Sequence, residues 1–310
     1  MNHFLSLVEL TPEGFRHLLE LAVDLKEAWK DGGNQPLLRN KTLGMIFQKP
    51  SLRTRASFEM GMIHLGGQAL YFSPFEIQLG ERESVADVSR VFSRYVDGIM
   101  ARVFAHDDIV TLANYSKVPV INGLSDYNHP CQALSDFLTI VENKGWDLNG
   151  KKLAFLGDGN NVSTSLLFGA ALMGLDFAIA NPPGYNLPDE VWTEGQRLAA
   201  LTGSQLMATH DPAQAAAHAD VVYTDVWASM GEEDEAQERA RIFEPYQVNN
   251  TLLREAREDV IAMHCLPAHR GQEITDEVCD GPHSVLWDQA ENRMHAQKAI
   301  LVDLMAQDRA

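Results

Sequence analysis

Short apolar runs alternate with stretches of helical periodicity along almost the whole chain, and no other feature limits the fold as strongly. The first series is LGMIF (43–47), ALYF (69–72), GIMARVF (98–104) and VPVI (118–121), separated by helix-like stretches such as 54–65 and 84–95. The second is KLAFLG (152–157), DFAIA (176–180), SQLMA (204–208), DVVYT (220–224), VIAMH (260–264) and SVLW (284–287). Strands joined through helices pair in parallel, so each series predicts a parallel sheet flanked by helices. Between the two series the helical stretch Cys131–Lys144 ends, and 145–152 breaks the pattern. The expectation is α/β with two doubly wound parallel-sheet domains, 1–145 and 146–287, and a closing helix over 288–310 with Asp288 as its N-cap. An amphipathic helix precedes the first strand: Thr11-Pro12-Glu13 opens it, Phe15, Leu18, Leu19, Ala22, Leu25 and Trp29 recur at helical spacing, and Gly32-Gly33 closes it. Residues 73–84 and 227–240 read as long functional loops.

Charge narrows the partners. Of the 310 residues 25 are Lys or Arg and 43 are Asp or Glu, a formal net charge of −18. Such a surface repels phosphate backbones and anionic lipid, which argues against nucleic-acid and membrane partners. No run of about 18 apolar residues is present, and the N-terminus has neither a basic region nor an apolar core of a signal peptide. The three cysteines, Cys131, Cys265 and Cys279, form no C-x-x-C and fit a reducing, cytoplasmic setting better than a disulfide framework.

Against this acidic background, QKPSLRTRASFE places Lys49, Arg53 and Arg55 within seven residues. Ser51 and Thr54 stand where a helix begins, so backbone N–H groups, hydroxyls and guanidinium forks converge as phosphate binding requires. A capped helix with solvated arginines is the competing structure. Arg102 ends an apolar strand, where burial demands an anion partner; an edge arginine reaching solvent is the alternative. Gly157-Asp158-Gly159-Asn160-Asn161 follows a strand and opens a helix, as a dinucleotide fingerprint would. Val162 replaces the third glycine, however, and Ala180-Asn181 stands where the ribose-binding acid belongs. The turn is better suited to presenting Asn161 to a ligand. His129 with Cys131, and His264, Cys265 and His269, raise a zinc site, but none shows the spacing of a ligand pair. MHCLPAHRG instead reads as a strand end on the ligand-binding edge of a sheet. Asp225 ends another strand and has the charge to hold an amine, or to cap a following helix.

Five signatures occur together: Ser51-Leu52-Arg53-Thr54-Arg55, His129-Pro130-Cys131-Gln132, Asp225 with Trp227 and Ser229-Met230-Gly231, His264-Cys265-Leu266-Pro267, and Glu291-Asn292-Arg293-Met294-His295-Ala296-Gln297. The set, in this order over nearly the whole chain, resembles the aspartate/ornithine carbamoyltransferase superfamily and, within it, the ornithine branch. The resemblance implies an N-terminal carbamoyl-phosphate domain, a C-terminal amino-acid domain and a last helix that packs back on the first. It implies trimers with shared active sites, and transfer of a carbamoyl group from carbamoyl phosphate to L-ornithine without metal or organic cofactor. Carried over, Ser51, the Leu52 backbone, Arg53 and Thr54 bind phosphate, and Arg102 bridges phosphate and carbonyl. His129 and Gln132 hold the carbamoyl group, Cys265 and Leu266 lie near its amine, and Arg293 reaches in from the last helix. Gln78 is the residue contributed by a neighbouring subunit, while Asn161, Asp225, Ser229 and Met230 bind ornithine. Many members carry Thr where this chain has Leu52; the hydroxyl is lost and the backbone N–H is kept.

The rivals are carbamoyltransferases for N-acetylornithine or putrescine, against which Ser229-Met230-Gly231 weighs, and a non-catalytic paralogue, against which the retained catalytic set weighs. Aspartate carbamoyltransferases typically show HPTQ and PLPR where this chain has HPCQ and HCLPAHRG.

Overall fold

A computed structural model of the chain describes residues 1–228 and 233–306. The chain divides into two compact units, Met1–Leu138 with Glu291–Ala310, and Thr139–Ala290. Among the described residues, no helix is long and apolar enough to cross a membrane.

In chain order the first unit contains α1 (Pro12–Lys30), β1 (Thr42–Phe47), α2 (Leu52–His64), β2 (Gln68–Phe72), α3 (Pro74–Ile77), α4 (Val85–Phe92), β3 (Gly98–Arg102), α5 (His106–Tyr115), β4 (Val120–Leu124) and most of α6 (Pro130–Lys144). All its strand pairings are parallel, in the order β2-β1-β3-β4. The inner strands β1 and β3 are almost wholly buried because both faces are covered; of the two edges, β4 is buried too, with Phe4 bridging Ile121 on its outer side, whereas β2 is half exposed. Ile46, Ile99, Ala101 and Val120 form a core with Val88 of α4 and Ile109 and Leu112 of α5. Thr11 caps α1 by accepting from the Gly14 N–H at 3.1 Å, with Pro12 in the first turn. Trp29 is the exception to the predicted apolar stripe of α1: it is partly exposed and stacks on His64 at 3.5 Å between ring centroids.

The second unit contains β5 (Lys152–Leu156), α7 (Asn161–Met173), β6 (Asp176–Ala180), α8 (Asp189–Thr202), β7 (Leu206–Thr209), α9 (Pro212–Ala216), β8 (Val221–Thr224), α10 (Ala236–Phe243), α11 (Asn250–Leu253), β9 (Ile261–His264) and α12 (Asp276–Cys279). Its strands are parallel in the order β7-β6-β5-β8-β9. Buried from Val162 to Leu172, α7 is the most enclosed helix described in this unit, and it ends at Gly174 in the left-handed conformation.

The last helix, α13 (Leu286–Met305), begins earlier than the sequence suggests. Ser284–Trp287 does not form a strand: Ser284 makes one isolated bridge with Ala262, and the helix has already started at Leu286, so Asp288 lies in its first turn and is not its cap. A run of four residues, three of them apolar, is too short to separate a strand from the start of a helix by periodicity.

Both sheets reverse their winding direction once, between β1 and β3 in the first unit and between β5 and β8 in the second. At such a reversal the connections leave the carboxyl ends of neighbouring strands in opposite directions and open a crevice there. The motifs singled out in the sequence cluster at these two places.

Candidate active site

In the first unit the crevice is built from the ends of β1, β3 and β4. Ser51 is the N-cap of α2; its Oγ accepts from the Thr54 N–H at 3.4 Å and donates to Thr54 Oγ1 at 3.1 Å. Helix geometry leaves the Leu52 and Arg53 N–H groups without an intrahelical acceptor, so this end of α2 presents donors and the positive end of its dipole. Arg53 is half-buried, whereas Arg55 is exposed, pairs with Glu59 at 3.3 Å and lies over the Tyr71 ring at 4.1 Å. Of the two arginines, Arg55 is thus taken up on the helix surface. The Leu52 side chain is 80% exposed, which leaves only its backbone as a donor here.

Arg102 ends β3 in register with Phe47 of β1, one residue after a shift in the pairing with β4. Its carbonyl accepts from the Gln48 N–H at 2.9 Å, which ties it to the turn leading into Ser51. His129 is buried just before α6. Burial, followed by the Arg293 and Arg102 charges, holds its imidazole well below the usual histidine range. A neutral imidazole is therefore what this crevice presents at neutral pH. Buried Arg293, on α13, donates to Gln132 Oε1 at 2.6 Å and to Thr54 Oγ1 at 3.3 Å. Hydrogen bonds join Ser51, Thr54, Arg293 and Gln132, and the Arg293 and Arg102 charges act on His129; together these groups are cationic overall and suited to a phosphorylated oxyanion. Gln78 lies elsewhere in this unit: it is exposed, just after α3, with φ of 48°.

In the second unit, Asp225 follows β8 and is buried. Cys265, following β9, donates its S–H to Asp225 Oδ1 at 2.9 Å, and Asn160 donates through Nδ2 to Asp225 Oδ2 at 2.9 Å. Asn160 is also the N-cap of α7, its Oδ1 accepting from the Val162 and Ser163 N–H groups at 3.0 Å each. Gly159 is glycine for a packing reason: a Cβ there would lie 2.4 Å from the Asn186 carbonyl carbon and 2.5 Å from the Leu187 nitrogen. The close backbone approach that a dinucleotide fingerprint reserves for pyrophosphate is made by the protein's own chain.

His264 accepts from the Leu266 N–H at its Nδ1 (2.8 Å), and its Nε2 meets Glu273 Oε1 at 3.0 Å, both side chains fully buried. These bonds specify the Nε2–H tautomer and hold Leu266 at φ 59°, a left-handed conformation that costs a branched residue of order 1–3 kcal/mol. Asp225, His264 and Cys265 bring possible ligand atoms within 4.8 Å of one another, a grouping invisible in their spacing. Both ring nitrogens of His264 are already engaged, so a metal ion would have to displace one of those bonds.

Two family models match the chain: the carbamoyl-P binding domain of aspartate/ornithine carbamoyltransferase over residues 2–142, and its Asp/Orn binding domain over residues 149–304. The chain belongs to the aspartate/ornithine carbamoyltransferase family. An ornithine carbamoyltransferase of Pyrococcus abyssi is 54% identical over 301 residues, 97% of this chain and 95% of that protein. One from Carboxydothermus hydrogenoformans is 53% identical over 302 residues, 97% of each chain. The solved structure of ornithine carbamoyltransferase from Pyrococcus furiosus matches with a TM-score of 0.96 at 52% identity, over 99% of this chain and 98% of that one.

Within this carbamoyltransferase fold, Ser51, Leu52, Arg53, Thr54, Arg102, His129, Gln132 and Arg293 fall in the first unit, and Asn161, Asp225, Cys265 and Leu266 in the second. Ser229 and Met230 lie outside the described residues. Asn161, singled out in the sequence, opens α7; its neighbour Asn160, which bonds Asp225, was not. Glu273 was also missed, as was Arg239, which donates to Asp158 at 2.7 Å and to the Trp227 carbonyl at 3.0 Å. Each acts through a partner 9 to 81 positions away, and no local pattern announces such a pair.

Proposed function

We propose that the protein transfers the carbamoyl group of carbamoyl phosphate to the δ-amine of L-ornithine, giving L-citrulline and phosphate. The group of donors and cations in the first unit carries the reading, because it offers hydrogen bonds and positive charge to a phosphate and a carbonyl oxygen together. The choice of ornithine is supported by the relatives, which are ornithine carbamoyltransferases.

Ser51, the Leu52 N–H, Arg53 and Thr54 bind the phosphate, and Arg102 spans phosphate and carbonyl. Neutral His129 donates to the carbonyl oxygen, and Gln132 and Arg293 complete the pocket. The neutral δ-amine attacks the carbonyl carbon and a tetrahedral oxyanion forms, stabilised by Arg53, Thr54, Arg102 and His129. The C–O bond to phosphate then breaks, and the departing phosphate takes the amine proton. Asn161, Asp225, Ser229 and Met230 hold ornithine, with Asp225 and Cys265 orienting its amine. Leu266 offers its backbone beside Cys265. Incubation with carbamoyl phosphate and ornithine is expected to give a ureido product and phosphate in equal amounts, read colorimetrically. Phosphate release without ureido product would sink the reading.

The working assembly is a homotrimer or a multiple of one. Supporting this, the first unit exposes Phe75 at 89% and Tyr95 at 76%, large apolar surfaces of the kind that a second copy covers. Gln78 is exposed three residues from Phe75, which supports its acting on a neighbour's site. Inactive Arg102→Ala and inactive Gln78→Ala subunits are expected to regain partial activity when dissociated, mixed and reassembled, since some hybrid sites are then intact. Absence of recovery despite proven subunit exchange would exclude a shared site.

A further inference from the structure

Asp136 is fully buried on α6, one turn after Gln132, and the proposed chemistry gives it no contact with substrate. Its Oδ1 accepts from Gln132 Nε2 at 2.8 Å, while the other end of the same amide, Oε1, accepts from Arg293 at 2.6 Å; Arg293 in turn reaches Thr54. A guanidinium has only donors and a carboxylate only acceptors, so an amide held between them has one satisfactory orientation. We infer that Asp136 is a positioning residue: its carboxylate locks the Gln132 amide with the oxygen toward Arg293, and through that oxygen fixes the guanidinium against Thr54 in the carbamoyl-phosphate pocket. This rests on the proposed assignment of Thr54, Gln132 and Arg293 to that pocket.

The polarity of the chain supplies the reason for a carboxylate in particular. With asparagine at 136 the hydrogen bond can form either way round, and a flipped Gln132 turns its NH2 toward the donors of Arg293. The bond also loses its charge assistance, which is roughly half its strength. Asp136→Asn is therefore expected to raise the KM for carbamoyl phosphate about tenfold, a loss of about 1.4 kcal/mol, while the KM for ornithine stays within about twofold.

The decisive test places the same substitution in a second background. Gln132→Glu sets a carboxylate against Asp136, and like charges at that spacing repel. Adding Asp136→Asn to Gln132→Glu supplies an amide donor to the new carboxylate, which still accepts from Arg293. The substitution that weakens carbamoyl-phosphate use in the native background is thus expected to improve it relative to Gln132→Glu alone. A merely structural Asp136 would make both backgrounds worse, and that result, or an equal rise in both KM values, overturns the proposal. Circular dichroism follows folding throughout. Should Asp136→Asn alone not fold, recovery of folding in the double variant supports the pairing and its absence refutes it. An unchanged KM for carbamoyl phosphate in Gln132→Ala would instead refute the pocket assignment, whereas a raised KM there with Asp136→Asn silent would refute only the role given to Asp136.

Discussion

Arg53→Ala and Arg102→Ala are each expected to lower turnover by at least about a hundred- to a thousandfold while the protein stays folded. Removing one preorganised donor from a developing oxyanion costs roughly 2.7–4 kcal/mol in comparable sites, and in the proposed mechanism each guanidinium stabilises both the phosphate and the oxyanion. Each position has backbone support of its own: Arg53 lies in the first turn of α2, capped by Ser51, and Arg102 pairs through its backbone in β3. Far-ultraviolet circular dichroism and thermal midpoint would check integrity, and single-turnover kinetics the chemical step. Near-normal turnover in either variant would place the anion site elsewhere.

The second large effect is selectivity. Ornithine is expected to be preferred over putrescine and N-acetylornithine by at least about a hundredfold in kcat/KM, measured as ureido product across the three amines and aspartate. With ornithine held as proposed, putrescine, which lacks the α-carboxylate, leaves polar donors such as Asn161 unmatched, and N-acetylornithine, which lacks the α-ammonium, leaves the Asp225 carboxylate unmatched. An unpaired buried charge costs about 2 to 5 kcal/mol. Asp225 is such a group: it is buried and accepts one hydrogen bond on each oxygen, from Cys265 and from Asn160, and a carboxylate has further lone pairs for an ammonium or amine. Asp225→Asn is therefore expected to damage use of ornithine far more than binding of carbamoyl phosphate. Better turnover of putrescine or N-acetylornithine would overturn the choice of amine and leave the carbamoyl-transfer chemistry standing.

The pH dependence follows from the same groups. Activity is expected to rise with pH toward the amine pKa of about 10, because only the neutral δ-amine attacks. His129 adds no inflection near 6.5 in the free protein: burial and the two arginines depress its pKa, so the ring is already neutral well below that pH. A rising limb centred near 6.5 that vanished on replacing His129 would contradict this assignment.

Much of this was determined by the sequence alone. The alternation of apolar runs with amphipathic stretches specifies strands and helices locally, since burial on one or both faces of an element dictates its period. Nine of the ten runs became strands, and Ser51, Arg53, Arg102, Asp225 and Cys265 came to lie at strand ends or at the helix start beside them, because in parallel α/β sheets those ends face ligands. Tertiary structure decided which strand ends are neighbours: the orders β2-β1-β3-β4 and β7-β6-β5-β8-β9 set Arg102 beside the turn before Ser51 and Cys265 beside Asp225. It also decided side-chain partnerships that depend on sub-ångström packing, such as Asn160 on Asp225, Glu273 behind His264 and Asp136 behind Gln132. Ser284–Trp287 shows why: a short apolar run satisfies a strand and the start of a buried helix equally, and only the elements packed around it select one.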